Sequence, residues 1–133
     1  MKKTKILFFG YSSFLKRRII PSIKRNDKIE YFICSKSQKR NTKEKVLFND
    51  YLQSLKVVNP DLVYISLINS LHFKYAKILI KKGFNVIVDK PIALMFRQSK
   101  ELVSLAKKKN LFLAEATLFN YHKVFDRMLN LSS

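Results

Sequence analysis

The chain has 133 residues, 47% of them hydrophobic, with a formal net charge of +18. That length suits one domain with one buried core and excludes a large two-domain enzyme within these residues. No apolar run reaches the ~18 residues of a spanning helix, and a single cysteine with two histidines excludes both an internal disulfide framework and a zinc spacing.

Along the chain, apolar runs alternate with amphipathic stretches, the pattern of βαβ units around a parallel sheet. Residues 5–9 predict a strand. Gly10-Tyr11-Ser12-Ser13 and Lys16-Arg17-Arg18 follow it too soon for a signal-peptide core, so a cytoplasmic protein without a membrane anchor is expected. Residues 13–24 predict a helix whose second half Pro21 interrupts. A second strand covers 29–35. After a basic, polar loop at 36–42, residues 43–55 carry Val46, Leu47, Tyr51 and Leu55 at helical spacing and predict a helix. Asn59-Pro60-Asp61 marks a turn before a third strand at 62–67. Residues 70–82 are the clearest helix. Leu71, Tyr75, Ile78 and Leu79 share one face, and Lys81, Lys82 and Gly83 end it as helix C-termini favour. A fourth strand at 85–88, a helix at 97–109, a fifth strand at 111–114 and an amphipathic segment at 121–131 follow. Five strands joined in this way predict an α/β fold: a doubly wound, Rossmann-like parallel sheet in a three-layer α/β/α arrangement.

In such sheets ligands bind beyond the carboxyl ends of the strands, here residues 10–14, 35–37, 66–69, 89–91 and 115–117. The first of these, Gly10-Tyr11-Ser12-Ser13-Phe14-Leu15, stands where a dinucleotide fold places G-x-G-x-x-G. Gly10 holds the first glycine position, Ser12 the second and Leu15 the third. A side chain at Ser12 narrows the approach to a pyrophosphate, although its hydroxyl and the helix-start amides can still donate hydrogen bonds. The other reading is a plain strand-to-helix turn. At the second strand end an acid would accept from the ribose hydroxyls of NAD. Ser35 and Lys36, with Lys39 and Arg40 nearby, instead suit a 2′-phosphate and tilt the reading toward NADP, a solvated basic turn being the alternative. Cys34 reads as a buried strand residue rather than a nucleophile.

In Ser66-Leu67-Ile68-Asn69-Ser70-Leu71-His72, either Asn69 or Ser70 is placed to cap the helix. His72 in its first turn is either a neutral ring near a cofactor or a surface histidine. Asp89-Lys90-Pro91 then ends the fourth strand abruptly, which predicts a cis bond before Pro91.

Together these motifs carry a resemblance. Residues 66–94, SLINSLHFKYAKILIKKGFNVIVDKPIAL, resemble the Gfo/Idh/MocA oxidoreductase family, in which an Asn-x-x-His helix start, an amphipathic helix, a glycine and a strand lead to a Glu-Lys-Pro motif. The corresponding residues are Asn69, His72, Gly83 and Asp89-Lys90-Pro91, with Asp89 in place of the glutamate and Ile68 where a proline is frequent. Residues 100–112 and 115–122 look like the family's next helix, its strand and the exit from its nucleotide domain.

The resemblance implies NAD(P)-dependent hydride transfer on a sugar, sugar nucleotide or polyol. It implies a dinucleotide, NADP or NAD, held by Gly10, Ser12, Ser13, Phe14, Ser35, Lys36, Ser66, Leu67, Asn69, His72, Asp89 and Lys90. Lys90 is the implied catalytic residue: an ammonium there stabilises negative charge developing on a reacting oxygen, with Asp89 orienting it or binding a ribose. No metal is implied. An NAD(P)-binding domain is expected over residues 1–120 and a C-terminal helical segment over 121–133, the start of a second domain that this length does not hold. His122 and Asp126, four apart in that segment, read as a surface pair.

The expected partners are the dinucleotide, a small sugar or polyol, and a partner chain supplying the second domain. The alternatives are a non-catalytic Rossmann binding module, favoured by the missing glycines, and a basic nucleic-acid-binding protein. Nucleic acid is not the expected partner, because the excess lysines are scattered, few aromatics lie among them and no nucleic-acid motif is present.

Overall fold

The structure, a computed structural model, describes residues 1–36 and 46–117, together with Asn130. Six short apolar runs, Thr4–Phe9 (β1), Ile29–Cys34 (β2), Val46–Phe48 (β3), Leu62–Ile65 (β4), Asn85–Asp89 (β5) and Leu113–Ala116 (β6), form one sheet. All neighbours are parallel, in the order β3-β2-β1-β4-β5-β6. The order reverses between β1 and β4, the switch point of a doubly wound fold.

The strands are apolar on both sides because both faces are covered. On one face Leu7, Phe9, Val63, Ile65, Val86 and Val88 pack under the helices Tyr51–Val58 (α2), Asn69–Lys81 (α3) and Phe96–Lys108 (α4). On the other, Ile6, Phe8, Ile33 and Tyr64 pack against Leu15 and Ile20 of the first helical segment, which ends as Ile20–Lys24 (α1). Right-handed crossovers require this division, since β1-to-β2 runs one way across the sheet and β4-β5-β6 the other. The three-layer α/β/α expectation therefore holds.

Four local expectations are corrected. The helix predicted over 43–55 is instead a strand followed by a helix. Val46–Phe48 pairs with β2 at the sheet edge, and α2 starts after Asp50, whose carboxylate accepts from the Gln53 amide at 2.8 Å. The first helix does not break at Pro21. Leu15–Ile19 winds as a π-helical turn closed by Ile20 N–H donating to the Leu15 carbonyl, and Pro21 then sits in the first turn of α1, where no N–H is needed. Neither Asn69 nor Ser70 caps α3: Ile68 holds the cap position without a side-chain bond, and the helix buries His72, Ala76, Leu79 and Ile80. Finally, β6 lies two residues later than expected, which places Glu115 inside it opposite Val88. The cis Lys90–Pro91 bond is present. Residues 37–45, and with them Ser37, Lys39 and Arg40, lie outside the described residues, as do His122 and Asp126.

Candidate functional site

The carboxyl ends of β1, β4 and β5 meet in a crest whose closest approach is at Gly10. Its φ of +94° is one that L side chains rarely adopt, and a Cβ there would lie 2.2 Å from the Ser66 carbonyl oxygen. Gly10 is thus required by the packing of β1 on the loop after β4. The same approach brings Ser12 onto Ser66, their hydroxyl oxygens 2.6 Å apart.

A chain of hydroxyls runs from there across three strand ends. Ser66 Oγ donates to Asp89 Oδ2 at 2.7 Å, so the proton shared between the two serines is Ser12's, and Ser12 Oγ accepts the Leu15 amide at 3.1 Å. The other Asp89 oxygen accepts from the Tyr64 hydroxyl at 2.5 Å. Strand geometry makes this reach available. Tyr64 pairs with Ile87, and a period of two puts Tyr64, Ser66 and Asp89 on one side of the sheet. Burial, and after it the hydrogen bond to Asp89, push the Tyr64 phenol well above the ordinary tyrosine value. Each carboxylate oxygen of Asp89 therefore accepts a hydrogen bond inside the protein, which ties the ends of β4 and β5 together beside the cleft.

Two clefts adjoin on the crest and share Ser12 and Leu67. The larger, about 420 Å³, is lined by Ser12, Phe14, Leu67, Asn69, Asp89, Lys90, Ala116 and Thr117. The smaller, about 260 Å³, includes Gly10, Ser35, Tyr51 and Ser66. Lys90 is exposed at the first. Tyr51, which lines the second, has the Lys36 ammonium 5.2 Å from its ring centre and packs edge-on against Tyr75 and tilted on Phe9; Lys36 itself lines neither cleft. Burial raises the Tyr51 phenol and lifts the Cys34 thiol to about 11, which suits a core cysteine.

Of the residues singled out from the sequence, most are brought together on this crest. Ser13 lines neither cleft. His72 is neither a surface histidine nor a ring facing the clefts: it is fully buried, with Nδ1 2.7 Å from the Pro91 carbonyl oxygen and Nε2 2.9 Å from that of Leu67. Tyr64 and Glu115 were missed as site residues. A tyrosine in an apolar strand needs a partner for its hydroxyl, a signal that pointed to Tyr64; Glu115 carried none until β6 was placed. Among the described residues no group of His, Cys, Asp and Glu is arranged to hold a metal ion, and no helix is long and apolar enough to cross a membrane.

Residues 4–117 match the oxidoreductase family with an NAD-binding Rossmann fold, Gfo/Idh/MocA. The chain belongs to this family. Trans-1,2-dihydrobenzene-1,2-diol dehydrogenase of Xenopus laevis is 29% identical over 86 residues, which cover 65% of the chain and 26% of that protein. The D-xylose 1-dehydrogenase (NADP(+)) of Hypocrea jecorina is 32% identical over 74 residues, 56% of the chain and 19% of the relative. The chain thus spans about a quarter or less of the length of these relatives. Among solved structures, KijD10, a 3-ketoreductase from Actinomadura kijaniata in complex with NADP and TDP-benzene, superposes with a TM-score of 0.86 at 22% identity, covering 98% of the chain and 42% of its own. At that identity the likeness is one of fold. The probable oxidoreductase YhhX gives a TM-score of 0.75 at 27% identity, over 84% of the chain and 35% of its own.

Proposed function

We propose that this Gfo/Idh/MocA chain is the nucleotide-binding half of an oxidoreductase that prefers NADP to NAD and acts on a sugar, sugar nucleotide or polyol. Residues 1–120 form its dinucleotide domain, and the rest of the substrate pocket comes from a second domain or a partner chain. The observation that carries this reading is Lys90, exposed over the switch point in one cleft with Ser12, Asn69 and Asp89.

The crest suits a dinucleotide. Ser12 turns its hydroxyl down onto Ser66 and the Leu15 amide, which leaves the Ser13 and Phe14 amides at the helix start for a pyrophosphate. At the other end, Ser35 and the Lys36 ammonium suit a 2′-phosphate. The NADP in the names of the xylose dehydrogenase and the ketoreductase complex supports the same preference. Bound there, the dinucleotide supplies the hydride exchange. Lys90 donates a hydrogen bond to the reacting oxygen and stabilises its negative charge as it develops.

Calorimetric titration tests the reading. NADPH is expected to bind about tenfold more tightly than NADH, the worth of one charge-assisted contact, and Lys36→Ala should narrow that gap. Absence of binding of either cofactor at millimolar concentration overturns it. The alternative, a non-catalytic Rossmann binding module, would be refuted by oxidation of any sugar or polyol by the purified chain with NADP.

A further inference from the structure

The peptide unit that follows Lys90-Pro91 is gripped by both of its polar atoms. Its carbonyl oxygen, that of Pro91, lies 2.7 Å from His72 Nδ1, and its N–H, that of Ile92, donates to Glu115 Oε2 at 2.8 Å. The two grips come from opposite directions, one from the first turn of α3 and the other from the end of β6. The other nitrogen of His72 faces the Leu67 carbonyl at 2.9 Å, so one buried ring ties the loop after β4 to the loop after β5. Carbonyl oxygens only accept, so a ring nitrogen that carries a proton donates to the carbonyl it faces.

The residue before Lys90 is held as firmly, since Asp89 takes one hydrogen bond from Tyr64 and another from Ser66. Pro91 has its φ fixed by its ring. The backbone is therefore pinned on both sides of Lys90, while its ammonium has no hydrogen bond or ion pair among the described residues and stands exposed at the large cleft. A fixed base under a free head is the arrangement that a preorganised polar group needs.

We propose that His72 and Glu115 are positioning residues for Lys90, setting where its ammonium stands in the cleft by fixing the peptide plane behind it. The proposal rests on the reading of Lys90 as the group that meets the reacting oxygen.

The test uses the ligand-free full chain and the rate at which acetic anhydride acylates each lysine, read by mass spectrometry with the other lysines as internal reference. His72→Gln keeps a donor near the Nε2 position and loses the one to Pro91; His72→Asn does the reverse. Glu115→Ala removes the acceptor for Ile92, and Glu115→Gln retains one. The Lys90 rate is expected to change about threefold or more in H72Q and E115A, a modest effect beside what ~1 Å of misplacement brings to a reacting group. It should stay near that of the unsubstituted chain in H72N and E115Q. The Ile92 amide proton should move upfield in E115A alone of the two Glu115 variants.

If all four variants label alike, whether changed or unchanged, His72 and Glu115 only satisfy buried backbone groups and the proposal falls. Because no cofactor enters this assay, a failure of NADPH to bind would remove the dinucleotide reading and leave the positioning result to be judged separately.

Discussion

Gly10 and Gly83 share a positive φ, +94° and +90°, but differ in their surroundings, and this makes them an instructive pair. A Cβ on Gly83 would meet nothing within 4 Å, whereas one on Gly10 would meet the Ser66 carbonyl oxygen at 2.2 Å and Leu67 Cδ2 at 2.9 Å. Gly83→Ala should therefore cost only the backbone strain of an L residue at positive φ, about 1–2 kcal/mol. Gly10→Ala carries the same strain plus an overlap with backbone that no side-chain rotation relieves. Overpacking adds about 1–3 kcal/mol, so the total should be roughly 2–5 kcal/mol. Urea denaturation with unchanged slope measures both costs. The larger one should also weaken NADPH, because moving the Ser66 backbone pulls its hydroxyl away from Ser12 and Asp89. Equal costs for the two substitutions would mean that β1 and the loop after β4 do not meet as described here.

Two further outcomes follow from the same core. Tyr64 holds its proton in the fold to a pH where the unfolded chain has released it, so this group's contribution is full below about pH 10 and is lost as pH rises above that value. Tyr64→Phe should flatten the alkaline limb of stability, and an identical alkaline limb in both proteins would contradict the buried Tyr64–Asp89 bond. Cys34, buried and with its thiol pushed up to about 11, should react with iodoacetamide at pH 8 only as fast as the chain unfolds; rapid labelling under native conditions would show the carboxyl end of β2 to be open.

The sheet was legible because parallel strands buried on both faces are continuous apolar runs, and β1, β2, β4 and β5 announce themselves as such. The edge strand was not. Val46–Phe48 is three residues long and almost abuts α2, so its apolar residues fall into helical register with Tyr51 and Leu55. The signal that separates them was present in Asp50, an N-cap residue in the middle of the supposed helix. His72 was misplaced for a related reason. Of the face that the apolar periodicity of α3 predicted, Leu79 is buried and Tyr75 packs against the core, but the helix also turns His72, Ala76 and Ile80 inward. A histidine carries no apolar mark, and only the carbonyls of Leu67 and Pro91, brought together by the fold, reveal why it is buried.

The departures from the family pattern at Ser12 and Asp89 looked in the sequence like two separate losses, one of a phosphate-loop glycine and one of a longer carboxylate. In the fold they are one structure. A glycine at position 12 would leave Ser66 Oγ without the donor 2.6 Å away, and Ser66 is one of the two hydroxyls that fix Asp89 beside Lys90. The serine therefore need not be read as decay of a nucleotide site. It exchanges one helix-start amide, that of Leu15, for a hydroxyl chain that stiffens the strand end bearing the lysine. Distances in space, not spacings in sequence, make that exchange visible.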